Sequence, residues 1–117
     1  MDRRLFLIGA LALAGCATVR PAAGPLAELE PIYAATAGRE ALTLQVASGG
    51  CTTKADFAFY VERKDGAVTL SFGRKRLDTC KSFAMGKTEL TFTWAELGVD
   101  EATPVFLLNP LTAWTGP

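Results

Sequence analysis

Histidine is absent from the 117 residues. That removes the commonest metal ligand and the usual general base at neutral pH. Cysteine is scarce: Cys16, Cys51 and Cys80 are the only three, and no Cys-x-x-Cys spacing occurs. The chain therefore lacks the thiol spacings of zinc sites and of thioredoxin-type redox motifs. There is no surplus of one charge, since 12 basic residues face 12 acidic ones. A balanced chain is not a general nucleic-acid binder. No apolar run approaches the ~20 residues that a membrane-crossing helix needs. No nucleophile stands in a motif with a base, so no catalytic residue, no metal and no cofactor is expected. Asp56, Asp65 and Asp78 are the carboxylates that acid–base work could use. Each has a simpler role, as strand edge, turn former and loop residue.

What is present begins at the N-terminus. Arg3 and Arg4 precede an apolar stretch over residues 5–14, and small residues Ala14 and Gly15 lead into Cys16. This is the order of a secretory signal. Leu13-Ala14-Gly15-Cys16 resembles the bacterial lipobox. The resemblance covers the first sixteen residues and implies a bacterial lipoprotein. Residues 1–15 are then a cleaved signal peptide, Cys16 carries a thioether-linked diacylglyceryl group, and its new amine is acylated. Several acyl chains on one residue matter, because a single chain holds a membrane only marginally. Ala17, where lipoproteins retained in the inner membrane typically carry Asp, implies the outer membrane, facing the periplasm. Asp2-Arg3-Arg4-Leu5-Phe6-Leu7 is similar to a twin-arginine export motif, departing from it at Asp2 and Ile8. The general secretory and twin-arginine routes both stay open.

Residues 16–25 read as the lipidated Cys and a tether, stiffened by Pro21 and Pro25. Residues 26–117 then form a single periplasmic domain. With Cys16 consumed by lipid, Cys51 and Cys80 remain as an even pair in an oxidising compartment, which reads as a disulfide.

Hydrophobic periodicity predicts an all-β domain: a small antiparallel sandwich or partly closed barrel of five or six strands with one disulfide. Leu42, Leu44 and Val46 alternate with polar neighbours, as do Leu90, Phe92 and Trp94. Two further strands flank Asp65-Gly66, a strong hairpin signal. A two-residue turn there sets Val61 opposite Leu70, Phe59 opposite Phe72 and, further out, Cys51 opposite Cys80. That register puts the bridge on the face of Phe57, Phe59 and Val61, with Tyr60 and Ser71 on the polar face. Trp94-Ala95-Glu96-Leu97-Gly98 reads as one helical turn stopped by glycine. Residues 105–108 fit a strand buried on both faces or closing the sheet. Leu26, Leu29, Ile32 and Tyr33 fit one face of a short helix that Pro31 interrupts. Trp114 must pack back or stay exposed.

Gly49-Gly50-Cys51-Thr52-Thr53-Lys54-Ala55-Asp56-Phe57, Asp78-Thr79-Cys80-Lys81 and Trp94-Ala95-Glu96-Leu97-Gly98 resemble segments of small bacterial envelope proteins. The likeness brings no activity with it. The function classes that remain are binding ones. The first is a non-catalytic binding or accessory lipoprotein that docks on an envelope protein. The second is an inhibitor of a periplasmic hydrolase of the lysozyme type. The third is recognition of anionic envelope lipid or polysaccharide through Arg74, Lys75, Arg76 and Lys81.

Overall fold

The computed structural model describes residues 21–80, 86–100 and 102–116. Two three-stranded sheets face one another, in the orders β1-β2-β5 and β3-β4-β6. The strands are β1 (Ala34–Ala37), β2 (Ala41–Ser48), β3 (Phe57–Lys64), β4 (Ala67–Arg74), β5 (Gly86–Thr93) and β6 (Val105–Leu107). The result is an all-β sandwich, not closed into a barrel. Among the described residues the one α-helical turn is α1 (Trp94–Leu97).

Each sheet follows from its alternation. In β2 the residues Leu42, Leu44 and Val46 are buried, and Leu42 and Leu44 pair with the buried Phe92 and Leu90 of β5. The other face of this pair is polar: the hydroxyls of Thr43 and Thr91 lie 3.1 Å apart, and Gln45 donates to Glu89. Such cross-strand pairs are the unit of sheet stabilisation. In the second sheet Phe59 pairs with Phe72 and Val61 with Leu70, the register expected from the turn. Asp65 and Gly66 both take positive φ, 53° and 79°. That is the backbone twist a two-residue hairpin requires, and why Asp-Gly serves there. Phe72 joins the sheets, with its ring 6.2 Å from Phe59 and 4.9 Å from Phe92 across the core.

α1 is set by its caps. The Thr93 hydroxyl accepts from the Glu96 backbone, Glu96 accepts from the Thr93 backbone, and Gly98 ends the turn at φ 72°. The Trp94 indole donates to the Gly38 carbonyl. Trp114 packs back, edge-on to Tyr33 at 5.0 Å.

Several expectations are corrected. Residues 26–37 hold no helix. Ile32 is fully buried, its amide donating to Pro110 and its carbonyl accepting from Thr112, and Ala34–Ala37 pair with β2 as β1. Pro31 lacks the amide a helix would use, and backbone pairing asks little of small residues. The strand β6 is not buried on both faces. It runs parallel to β4 at the sheet edge, with Phe106 61% exposed. The bridge does not share the face of Phe57. The ladder stops at Phe57 and Arg74, a 3-10 turn over Lys54–Asp56 intervenes, and Cys51 is exposed. Tyr60 does stand opposite Ser71, yet it is half-buried and Ser71 is buried.

The burial of that outer face has a visible cause. Residues 26–28 cross over Ala58 and Gly73. A Cβ on Gly73 would sit 2.7 Å from the Glu28 carbonyl oxygen, so only glycine lets the crossing chain approach. At the start of this path, Pro21 forms a parallel bridge with Phe59, and the Ala22 amide donates to the Phe59 carbonyl. The second half of the expected tether is thus already stapled to the open edge of β3.

Candidate functional site

Chemistry-bearing side chains converge at one end of the sandwich, where β2 and β4 leave their sheets. The Cys51–Cys80 disulfide closes this end. Asp78 organises it. One carboxylate oxygen accepts from the amides of Gly49 (2.7 Å) and Cys51 (3.0 Å) and from the Thr52 and Ser48 hydroxyls. The other accepts from the Cys80 amide. The Thr52 hydroxyl and the three amides hold the Asp78 carboxyl well below the usual carboxylate range, against the opposing effect of burial. Gly49 must lack a side chain here, since a Cβ would lie 2.8 Å from the Cys80 carbonyl oxygen.

The thiol sulfurs of Cys51 and Cys80 and the carboxylate of Asp78 lie within 4.8 Å of one another, a spacing a cation could use. The disulfide takes both thiols out of that set, because only a thiolate ligates. The arrangement is a structural clamp.

The basic run divides. Arg74 turns inward, its side chain 13% exposed. It donates to Glu30 (2.8 Å), to the Ala47 carbonyl (2.9 Å) and to Thr52 (3.1 Å), and its guanidinium lies 4.8 Å over the Phe57 ring. It ties the two sheets together. Arg76 donates to Asp56 at 2.8 Å, yet its side chain stays 69% exposed. Lys75 is exposed, with its amide donating to the Asp56 carbonyl. Lys81 and Cys16 lie outside the described residues. Lys54, beside the bridge, contacts both Glu96 oxygens at 2.7 Å.

The carboxylates with shifted titration are all committed locally. Asp56 is held low first by the Thr53 amide and then by Arg76. Burial works against the charge of Glu96, but Lys54 and Thr93 outweigh it and the net shift is downward. Asp65 forms the hairpin turn. An open cleft of about 450 Å³ lies between that turn and the loop holding Gly98, Asp100 and Thr103. Arg63 on its wall donates to the Gly98 carbonyl.

Two features escaped the sequence reading. Asn109 is 6% exposed and binds both backbone groups of Phe72 as well as the Glu30 carbonyl. In the sequence it only precedes Pro110, and no local signal marks a buried asparagine. Phe106, Leu108 and Leu111 are 61%, 57% and 70% exposed along and after β6, and Leu77 is 78% exposed at the disulfide end. The parity of a strand cannot reveal which apolar faces lack a covering layer.

The Asp78 clamp predicts an acid response. A carboxyl with a depressed folded value stabilises fully above its ordinary value, and that contribution is lost as pH falls below about 4 toward the depressed value. Asp78→Asn is expected to lower the urea midpoint at pH 7 and to narrow its deficit against the parent at pH 3. Urea melts at the two pH values check this, and an equal deficit at both would show that Asp78 acts only by shape.

No known family model, curated protein or solved structure matches this chain.

Proposed function

We propose that the chain is a lipid-anchored envelope lipoprotein, held by Cys16 at the periplasmic face of the outer membrane, whose domain is a non-catalytic binding or accessory module. The observation that carries the binding part is the exposed apolar strip of Phe106, Leu108 and Leu111. Val105 and Leu107 pack on the core, so β6 is pinned from within while Phe106 and Leu108 face outward. Exposed, contiguous apolar surface on a rigid scaffold commonly marks an interaction site. An edge strand adds the means, because an extended segment of a partner protein can pair with its open backbone while its apolar side chains meet the strip. The local commitment of Asp56, Asp78 and Glu96 supports a non-catalytic reading.

A photo-cross-linking residue at Phe106 tests this in cells. One dominant protein adduct is expected there, and none from the same residue at Glu89 on the β5 edge. No adduct at Phe106, or the same scatter of products at both positions, would remove the strip as a docking surface.

A further inference from the structure

We propose that Lys75-Arg76-Leu77 forms a second membrane contact, which seats the disulfide end of the sandwich on a bilayer containing anionic phospholipid. The inference rests on the lipid anchor at Cys16.

Direction and reach carry it. The Pro21 bridge to Phe59 is parallel, and β3 runs from Phe57 to Lys64. At Pro21 the chain therefore arrives from the Phe57 end, which is the disulfide end. Five peptide units separate Cys16 from Pro21 and span at most about 17 Å, whatever path they take. Phe57 lies two residues, or about 7 Å, along β3 from Phe59, and the adjacent strand is about 5 Å away. Arg74 pairs with Phe57, so Lys75 begins where that distance ends. A lipid on Cys16 is thus within reach of the end of the molecule that carries the loop.

The loop is built to hold its side chains outward. The Lys75 amide is fixed to Asp56, and Asp78, next to Leu77, is fixed by the clamp of Gly49, Cys51, Thr52 and Cys80. Between them Leu77 is 78% exposed, the most exposed large apolar side chain among the described residues. A basic pair next to an exposed leucine suits the headgroup boundary of a bilayer. Charge is the smaller part, because Asp56 pairs with Arg76 and Glu28 lies in the same cleft region as Lys75. Leu77 supplies the insertion. The lipid anchor keeps the loop at high effective concentration, so a weak contact suffices. The same seating keeps Phe106 off the membrane: it pairs with Thr69, about 17 Å along β4 from Arg74.

The test reconstitutes the full lipidated chain in phosphatidylethanolamine–phosphatidylglycerol vesicles with brominated acyl chains, which quench nearby indoles. Leu77→Trp is expected to show quenching beyond that of the parent, whose Trp94 and Trp114 form the background. Phe106→Trp is expected to show none. Lys75→Glu added to Leu77→Trp should lower the docked-to-free ratio about fivefold or more, since each basic residue at an anionic surface is worth that much. Mass spectrometry of the N-terminal peptide separates the two ways to fail. An unlipidated Cys16 removes the anchor reading and this inference with it. A lipidated chain in which Leu77→Trp escapes quenching, or Phe106→Trp is quenched equally, overturns the seating while the anchor stands.

Discussion

Removing the disulfide as Cys51→Ala with Cys80→Ala is expected to cost about 3–4 kcal/mol of folding stability. The bridge joins residues 29 apart, and the chain-entropy argument gives that magnitude for a loop of this length. Domains of this size hold only about 5–15 kcal/mol in total, so the loss is a large share. The variant should melt roughly 15–20 °C lower. It should still fold at low temperature, because Asp78 fastens the same two loops by hydrogen bonds from Gly49, Cys51 and Cys80. Thermal melts followed by circular dichroism check both statements. A shift of only a few degrees would mean that the unfolded chain already keeps these two segments together, so that the bridge removes little of its freedom.

Asn109→Ala is expected to cost about 2–4 kcal/mol through buried polar groups left without partners. The side-chain amide of Asn109 acts like a piece of strand. Its oxygen accepts from the Phe72 amide at 2.8 Å, and its nitrogen donates to the carbonyls of Phe72 and Glu30, both at 2.7 Å. It continues the edge of β4 where β6 ends, and it fastens the Glu30 segment to that edge. Alanine leaves the Phe72 amide without its acceptor inside the protein, where the desolvation cost is charged in full. Asn109→Asp keeps the shape but loses both donors and sets a carboxylate against two carbonyls, so it should not rescue. Urea melts measure the loss. Hydrogen exchange at the Phe72 amide locates it, and an amide as protected as in the parent would show that another group takes over.

The local parts of this fold were legible. The hairpin register followed from Asp65-Gly66, because a two-residue turn leaves no freedom in the pairing that follows. The faces of β2 and β5 followed from alternation, and α1 from its glycine stop. The disulfide pairing followed from counting once Cys16 was assigned to lipid, but its placement did not, since the 3-10 turn over Lys54–Asp56 ends the ladder first. The strand β1 was missed because Ala34-Ala35-Thr36-Ala37 carries no alternation to read. The parallel placement of β6 depends on a partner far away in the chain, as does the inward turn of Arg74 toward Glu30 and Ala47. A run of basic residues reads as surface charge, and only the tertiary fold shows that its first member braces the two sheets.

The latch between the two ends of the domain sets an order of assembly. The β3–β4 hairpin needs one short turn and can form early, since short loops close at little entropic cost. The contacts of Asn109 with Glu30 bridge 79 residues, and Ile32 exchanges backbone bonds with Pro110 and Thr112. Contacts of such separation slow folding. They also need residues 109–112, which leave the ribosome after residues 21–108. The backbone groups of Ile32 have no partners until that segment arrives. The sandwich is therefore completed by residues 109–112, and a chain cut short before Asn109 is expected to open to proteases more readily, however well its hairpin has formed.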